Sequence, residues 1–373
     1  MNFGLTEDQE HLRVAARKFL DEQCPIPEVR RLMNEPAGMS KKLWTEIATL
    51  GWTGLATPEA YDGAGLGWVE LIVLLEETGR SLFPSPLISS VLVSAMIEDL
   101  GSDEQKRRLL PELASGDTIG AAALFDDPDN LTQASIQTRG AVDRSELVLN
   151  GRKAHVIDAP NASLYAVAFQ NESDAIGLAM VPRDTDGIAV EALKTMDRSK
   201  RVGHITLTDV RVPASAQLGT ADDTWAGIER ANDRGAIATT AEILGAGQAA
   251  LDLTVQYAKD RVQFGSPIGR FQGVKHPLAE MYVDLESIRS LLYYAAWALE
   301  EGSADLSSAA SQAKAFATEA FLKIGVGAIQ LHGAVGYTEE YDVQLYLKRS
   351  KWARPAYGDE NYHLDRVATL GGI

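Results

Sequence analysis

The stretch at residues 257–272 reads YAKDRVQFGSPIGRFQ and is the most specific segment of the chain. Its first half predicts a helix that carries Arg261 and ends near Gly265, because glycine readily follows the end of a helix. Pro267 then predicts a turn before a second helix begins. The corner presents three chemically distinct side chains, those of Arg261, Phe264 and Gln272.

Spacing alone leaves two interpretations of this corner. Arg261 can hold a pyrophosphate through two parallel hydrogen bonds, while Phe264 packs on a ring and Gln272 supplies further hydrogen bonds. Alternatively, the corner is a capped helix end with Arg261 in a surface salt bridge. Spacing alone favours this second interpretation, because a single arginine near a turn is commonplace.

Helical periodicity extends outward from this corner and returns near the start of the chain. Downstream, two apolar stripes repeat at helical spacing: Leu285, Ile288, Leu291, Leu292, Ala295 and Leu299, then Ala309, Ala313, Phe316, Ala317, Ala320, Phe321 and Ile324. Their small alanines predict an antiparallel bundle with closely packed helices. Near the start, Thr6 precedes acidic residues and is predicted to be a helix N-cap.

Between these helical parts, short apolar runs alternate with frequent turn signals and predict a β domain. Asn150-Gly151 is a strong signal for a two-residue hairpin. Since no helix-length segment separates the runs, we expect an antiparallel barrel or sandwich rather than βαβ units. The predicted fold class is α+β, with a helical domain at 1–113, a β domain at 114–220 and a four-helix bundle domain at 221–373.

Composition excludes several classes of function. The chain has 373 residues and a formal net charge of −17, which disfavours general binding to nucleic acid or to an anionic membrane. One cysteine, Cys24, and no Cys/His cluster predict no disulfide, no metal site and a reducing cytoplasm. The first residues lack the features of a signal peptide, and no apolar run reaches transmembrane length.

The glycine-rich segments and the basic cluster of the chain do not predict a nucleotide-binding or anion-binding site. The glycines at 63–67 do not follow a strand, and those at 245–247 lie within a helical pattern, so both groups are predicted to be structural. Four basic residues are clustered late in the chain and predict a solvated helix face rather than an anion site: Lys348, Arg349, Lys351 and Arg354.

The 257–272 stretch resembles the signature of the acyl-CoA dehydrogenase family, and the resemblance covers nearly the whole chain. Matching runs are LTEDQ at 5–9, PEAYDGAGLG at 58–67, LNGRK at 149–153, VRVP at 210–213 and QLHGAVGYTEEY at 330–341. The resemblance implies a dimer, usually paired into a tetramer, with FAD at the dimer interface. It also implies oxidation of an acyl-CoA thioester to the 2-enoyl-CoA, with electrons passing to an electron-transfer flavoprotein.

The same resemblance assigns residues to the flavin. Contacts to an FAD bound mainly by a neighbouring subunit are implied for Arg261, Phe264, Gln272, Gln330, Gly333 and Ala334. In the family a carboxylate removes the α-proton of the substrate, while the β-hydrogen leaves as hydride to the flavin.

The chain departs from the family at this carboxylate. The usual glutamate position matches Tyr357, and a tyrosine of pKa about 10 is a poor base at neutral pH. An alternative base position used by some members matches Gly235, beside Asp233 and Arg234. The base is therefore unassigned, with Asp233 and Asp359 as the remaining candidates.

The β domain departs as well. The family run Thr-Glu-Pro-x-x-Gly-Ser-Asp is replaced by LFDDPD at 124–129, and its flavin-binding Trp-x-Thr by His155-Val156-Ile157. The surface offered to a neighbour's FAD is thus kept, while the chain's own base and flavin-ring contacts are eroded. This pattern favours the complementing subunit of an α2β2 assembly, such as those of steroid side-chain degradation. The alternatives are a homotetramer with a relocated base and a scaffold without flavin.

Overall fold

The computed structural model describes residues 4–373. Residues 1–3 lie outside the described residues, and the expectation of no signal peptide rests in part on them. The helices are α1 (Glu7–Gln23), α2 (Ile26–Met33), α3 (Lys41–Thr49), α4 (Trp68–Arg80), α5 (Leu87–Leu100), α6 (Asp103–Ala114), α7 (Thr224–Asp260), α8 (Gln272–Glu300), α9 (Leu306–His332), α10 (Val343–Ala353) and α11 (Glu360–Leu370). The strands are β1 (Gly120–Ala123), β2 (Arg139–Asp143), β3 (Glu146–Ile157), β4 (Leu164–Gln170), β5 (Ile176–Pro182), β6 (Ile188–Ala192), β7 (Val202–Pro213), β8 (Gln217–Leu218), β9 (Val262–Gln263) and β10 (Ser266–Pro267).

The predicted order of helices, strands and helices is confirmed. Thr6 caps α1 as predicted: its side chain accepts a hydrogen bond from the Gln9 N–H, and the Gln9 side chain returns one from the Thr6 N–H. This reciprocal box satisfies two backbone donors that the first turn cannot pair internally.

Packing groups the chain into two compact units. The first unit comprises the residues up to Arg31, Trp68–Phe83 and Asp233–Ile373, and the second comprises Leu32–Gly67 and Pro84–Asn232. The prediction of domains at 1–113, 114–220 and 221–373 follows the order of secondary structure along the chain. The units instead follow packing, so helices from both ends of the sequence share one unit.

The second unit contains a sheet that is mainly antiparallel. In the described part of the chain, eight strands form this sheet in the order β6-β7-β3-β2-β4-β5-β8, with β1 beside β4. The β1–β4 pair is parallel, as is a single pairing between β2 and β4, and the other pairs are antiparallel. The sequence did not predict these parallel pairings, because alternation within a strand does not reveal the direction of its partner.

Strand β4 shows why both faces of this sheet are apolar. Leu164, Ala166 and Ala168 pack with side chains of α5 and α6, whereas Tyr165, Val167 and Phe169 pack with side chains of β3 and β7. All six are buried. A strand covered on both faces needs a continuous apolar run, which is how this segment reads.

The predicted hairpin at Asn150-Gly151 is wrong. Strand β3 continues through both residues, and its register with β7 shifts between Leu149 and Gly151, as at a β-bulge. The Asn150 side chain pairs with Asp209 on β7, accepting from the Asp209 N–H at 2.8 Å and donating to its carboxylate at 3.0 Å. A Cβ on Gly151 would lie 2.5 Å from the Thr138 hydroxyl, so this glycine serves close strand packing rather than a turn.

In the first unit, α4 and α7 approach each other closely through glycines. A Cβ on Gly245 would lie 1.7 Å from the Glu76 carbonyl oxygen, and a Cβ on Gly79 would lie 2.2 Å from the Glu242 carbonyl oxygen. The structural interpretation of the 245–247 glycines is therefore confirmed.

Buried carboxylates on these two helices pair with arginines of neighbouring helices. Glu76 accepts from Arg289 of α8 at 2.8 Å, Glu77 accepts from Arg17 of α1 at 2.6 Å, and Glu242 pairs with Arg349 at 3.5 Å. Buried charges require such partners, because an unpaired one costs several kcal/mol, roughly 3–5 kcal/mol when a partner is removed. These pairs fix the helices that carry the candidate site.

Within residues 4–373, no helix has the length and apolarity needed to cross a membrane.

We expect Gly245→Ala to lower the free energy of unfolding by about 2 kcal/mol, because the added methyl meets backbone that cannot move aside. Urea unfolding followed by circular dichroism provides the measurement. Gly273→Ala is the matched control: it also lies in a long helix, but a Cβ there meets nothing within 4 Å. A Gly245→Ala protein as stable as the Gly273→Ala protein would contradict the close approach.

Candidate functional site

The 257–272 corner is a helix end followed by a tight hairpin. Helix α7 ends at Asp260, and the Arg261 N–H still bonds to the Tyr257 carbonyl at 2.8 Å. Strands β9 and β10 then pair across Phe264 and Gly265, both of which have positive φ values, 53° and 76°. The tight turn therefore lies at Phe264-Gly265, and the prediction of a helix that carries Arg261 and ends near Gly265 is wrong, because α7 ends at Asp260. The predicted turn at Pro267 is present as a single 3₁₀ turn at Ile268–Arg270 before α8. A two-residue loop with positive φ at both positions matches the natural twist of a hairpin.

The three side chains predicted at this corner are all exposed. The Phe264 ring is 93% exposed and meets Phe271 edge-on, with centroids 6.0 Å apart. Among residues 4–373, the Arg261 guanidinium has no hydrogen-bond or ion-pair partner, so the salt bridge considered above is not found. Gln272 is the exposed first residue of α8. Five guanidinium N–H donors thus face outward beside an aromatic ring and an amide.

The other three predicted contacts lie at the end of α9. Gln330 is exposed in its last turn, and the helix ends where Gly333 takes a φ of 65°. Gly333 and Ala334 are exposed as well. This end meets the end of α7, because the His332 and Tyr257 rings stack with centroids 4.4 Å apart. The structure therefore brings all six predicted residues to neighbouring helix ends.

The sequence alone did not predict the contact between the Tyr257 and His332 rings. Tyr257 and His332 stand inside the quoted motifs, but they are 75 positions apart, 332 − 257. Tyr341 lies edge-on to His332 at 5.2 Å and to Tyr257 at 6.1 Å. The only available signal was an aromatic or imidazole residue in each motif, and it does not reveal the pairing.

The two family base positions lie against each other. The Tyr357 ring covers Gly235 so closely that a Cβ on Gly235 would lie 2.3 Å from ring carbon Cδ1. Tyr357 has a φ of 57° and Gly358 a φ of 104°. Neither position holds a carboxylate, and the ring leaves no space for a larger side chain at 235.

Asp233 is an anchor between helices. Its carboxylate is 1% exposed, pairs with the Arg366 guanidinium and accepts from the Ser307 hydroxyl at 2.7 Å. Both carboxylate oxygens are engaged, since Oδ1 and Oδ2 each contact Arg366. A buried carboxylate whose two oxygens are held in this way has no oxygen left to face a substrate.

Asp359 caps a helix. One of its oxygens accepts from the Tyr362 N–H at 2.9 Å in the first turn of α11. Capping satisfies a backbone donor that would otherwise lack a partner. Each of the two candidate bases therefore has a structural task.

Two buried side chains hold the segment that carries Tyr357. The Lys314 ammonium donates to the carbonyl oxygens of Ala353, Arg354 and Gly358 at 2.9–3.1 Å, and contacts the Thr318 hydroxyl at 3.0 Å. Burial lowers the pKa of Lys314 to about 7, while Asp359 and Glu360 oppose that shift. The nitrogen is thus surrounded by oxygens that orient the backbone on both sides of position 357.

His363 completes this arrangement. Its Nε2 lies 3.0 Å from the Tyr357 carbonyl oxygen, and its Nδ1 lies 3.2 Å from the Ser311 hydroxyl. Burial, and then the charge of Lys314, lowers the pKa of His363 to about 3. The ring is therefore neutral near pH 7 and donates to only one of these two oxygens.

The prediction that the late basic cluster forms a solvated helix face is wrong for one of its four members, Arg349. Arg349 is 1% exposed and pairs with Glu242, while it also donates to the Leu82 carbonyl at 3.4 Å. Arg354 pairs with Glu360. Helical periodicity alone could not show that α10 has helices packed on the arginine side.

In the second unit, the segment that replaces the family's Thr-Glu-Pro run is held by a buried lysine. Lys153 is fully buried and donates to the Leu124 carbonyl at 3.0 Å and to Asp126 at 2.5 Å. Burial lowers the pKa of Lys153 to about 8 despite the Asp126 charge. Asp126 also accepts from the Gln137 N–H at 2.7 Å, so its carboxylate organises the loop.

The positions that replace the family's Trp-x-Thr offer different chemistry. His155 has a φ of 50°, and its N–H donates to His204 Nδ1 at 3.3 Å. The two imidazole rings meet edge-on with centroids 5.1 Å apart. Ile157 ends β3 and has no hydroxyl to offer a flavin. These residues do not fit the family's flavin-ring contact.

Comparison with known proteins bears on this geometry. The family models for the acyl-CoA dehydrogenase N-terminal and C-terminal domains match residues 6–117 and 225–370. The chain is 31% identical over 361 residues to a probable acyl-CoA dehydrogenase, YngJ, of Bacillus subtilis, covering 94% of both.

Two solved structures are similar over almost their full length. A variant of the Tcur3481-Tcur3483 steroid ACAD is 31% identical with a TM-score of 0.89, and the match covers 98% of each chain. A chain of the ChsE4-ChsE5 complex from Mycobacterium tuberculosis is 27% identical with a TM-score of 0.91, covering 100% of this chain and 99% of that one.

The pKa of His363 predicts sensitivity to acid. Below pH 6.5 the imidazole of the unfolded chain binds a proton, whereas that of the folded chain stays neutral down to about pH 3. Acid therefore favours unfolding. At pH 4.5 this linkage removes about 3 kcal/mol of the stability present at pH 7. His363→Gln keeps a neutral polar side chain and should lose stability less steeply between these two pH values in urea unfolding. Equal slopes for both proteins would contradict a buried neutral imidazole.

Proposed function

The chain belongs to the acyl-CoA dehydrogenase family, and from that premise we propose that it is the complementing subunit of a heteromeric acyl-CoA dehydrogenase. The family is FAD-dependent, and its members are oxidoreductases. In this proposal the assembly converts an acyl-CoA thioester to the 2-enoyl-CoA, and a partner chain supplies the base and the contacts to the flavin ring.

The observation that carries the proposal is the Tyr357–Gly235 contact. Removal of the α-proton requires a carboxylate within reach of that carbon. Here one base position is a phenol ring, the other has no side chain, and the adjacent Asp233 is paired with Arg366. A half-site without a free carboxylate supports a role in completing another chain's site.

The residues at the outer helix ends fit an FAD held mainly by a neighbour. Arg261 can bind a pyrophosphate through two parallel hydrogen bonds, and Phe264 can pack against an aromatic ring. Gln272 and Gln330 can supply hydrogen bonds, while Gly333 lets a backbone approach the nucleotide closely. When bound, FAD accepts the hydride that leaves the β-carbon. In contrast, Ile157 does not fit the ring of a flavin bound by this chain itself.

Two similar structures support a partnership of unlike chains, because both are named for pairs, Tcur3481-Tcur3483 and ChsE4-ChsE5. One of them is described as a steroid ACAD, which supports a steroid side-chain or fatty acyl group as the substrate class. An electron-transfer flavoprotein is the proposed electron acceptor, as the family resemblance implies.

A self-sufficient homotetramer is the second candidate, and Asp233 or Asp359 would then be the base. A scaffold without flavin is a third. The visible spectrum of the protein purified through a tag on this chain separates them. A flavin band from this chain alone favours the homotetramer, a band only with a partner favours the heteromer, and no band under either condition favours the scaffold.

Arg261→Ala should lower the flavin content of the assembly and raise the Kd for FAD at least tenfold, because a charge-assisted bond is worth about 1.5–3 kcal/mol. Arg261→Lys should recover only part of the affinity, since lysine cannot form the two parallel bonds. Absorbance of the purified assembly gives the flavin content. Unchanged flavin in Arg261→Ala would remove this residue from the flavin site.

The isolated chain should show negligible turnover with a panel of acyl-CoAs, even with added FAD and an artificial electron acceptor. Activity should appear with the partner chain and should survive Tyr357→Phe, because the phenol is not the base. The dye-linked reduction assay measures both. Robust turnover by the isolated chain that is abolished by Asp233→Asn or Asp359→Asn would establish the relocated base instead.

A further inference from the structure

Three rings pack where the ends of α7 and α9 meet. We call Tyr257, His332 and Tyr341 the ring cluster. His332 stacks on Tyr257 at 4.4 Å with a tilt of 31°, and Tyr341 meets both rings edge-on. His332 is 2% exposed, and its Nδ1 lies 2.8 Å from the Ala328 carbonyl oxygen one turn earlier in α9. The imidazole is thereby fixed to its own helix.

Two of the three rings, those of Tyr257 and His332, adjoin a segment that carries a proposed flavin contact. Tyr257 lies one helical turn before Arg261, which is bonded to it through the backbone at 2.8 Å. His332 directly precedes Gly333 and Ala334. The ring contact therefore fixes the backbone of Arg261 relative to the turn, although their helices are far apart in sequence.

Tyr341 is held from a different helix. Arg30 of α2 donates to the Glu339 carbonyl at 2.6 Å and to the Asp342 carboxylate at 2.8 Å, on either side of Tyr341. The segment after the turn is thus anchored before and after Tyr341, whose ring contacts the other two rings.

The ring cluster contributes geometry rather than charge. Burial lowers the pKa of His332, so the imidazole is neutral at pH 7. Two helix C-termini meet here, and their carbonyl ends repel anions. Arg261 offsets this repulsion, and its position relative to the turn must then be well defined for a pyrophosphate to bind.

Neutral His332 also carries an uncompensated polar atom. Its Nε2 is buried without a hydrogen-bond partner among residues 4–373. An apolar ring would avoid that cost, so stability alone does not explain an imidazole at this contact.

We propose that the ring cluster is a positioning platform that holds Arg261 and the Gly333-Ala334 turn in register for the flavin nucleotide of a neighbouring chain. This inference rests on the proposed function, in which these residues contact that nucleotide. Tyr257, His332 and Tyr341 are positioning residues, because they act through the segments they support.

The test uses the assembly purified through this chain, stripped of flavin and titrated with FAD while flavin fluorescence is followed. Tyr257→Ala removes two ring contacts and should raise the Kd for FAD about tenfold, since each aromatic pair contributes a factor of several. Tyr257→Phe keeps the ring and should leave the Kd unchanged.

Tyr294→Ala is the matched control. Tyr294 also stacks on an aromatic residue, Trp297, at 5.9 Å, but it lies near the opposite end of α8 from Gln272. It should lower the unfolding temperature without changing the Kd. Equal Kd increases in Tyr257→Ala and Tyr294→Ala would overturn the proposal, as would an unchanged Kd in Tyr257→Ala.

If Tyr257→Ala does not assemble, Tyr341→Ala decides, because its ring is 37% exposed and its loss disturbs the core less. A raised Kd supports the platform, and an unchanged Kd overturns it. The Arg261→Ala assembly distinguishes a failure of the platform from a failure of the proposed flavin contact. Weak FAD binding in Arg261→Ala with normal binding in the ring variants would refute the platform alone. Normal binding in Arg261→Ala would instead refute the flavin contact assigned to Arg261 in the proposed function, on which the platform rests.

Discussion

The packing of the Tyr357 ring on Gly235 is the constraint on which the chemistry of this chain depends. A ring can lie there only because residue 235 has no side chain, and its presence leaves no space for a carboxylate from that position. Tyr357 also adopts a backbone conformation that is uncommon for a bulky residue. Such a conformation persists where surrounding contacts determine it, and here Lys314 contacts the Gly358 carbonyl and His363 the carbonyl of Tyr357 itself.

The polar groups around this contact are committed to structure. A general base must lie within reach of the proton that it removes. Asp233 joins α7 to α11 through Arg366 and to α9 through Ser307. Freeing it would leave the Arg366 guanidinium largely buried without its anion, which is costly. The same interaction that stabilises the bundle therefore occupies both oxygens of the Asp233 carboxylate.

The outer helix ends follow the opposite logic. The chain carries a net charge of −17, so an anionic nucleotide is repelled at long range and requires a local cation. Many arginines of the first unit are neutralised by buried carboxylates, as Arg17, Arg289 and Arg349 are. Arg261 instead projects from a hairpin whose other prominent feature is an almost fully exposed Phe264 ring. Exposed apolar area of this kind is typical of a surface that another molecule covers.

The sequence by itself determined the family, the order of helices, strands and helices, the Thr6 cap and the loss of a glutamate at position 357. These features are local: a cap depends on the next three residues, and a motif depends on its own spacing. Only the tertiary structure decided that Asp233 is neutralised by a residue 133 positions away, that Arg349 is buried, and that Asn150-Gly151 continues a strand. It also brought Tyr257 to His332. Partners distant in the chain leave no periodic signal, because packing selects them through shape and charge rather than spacing.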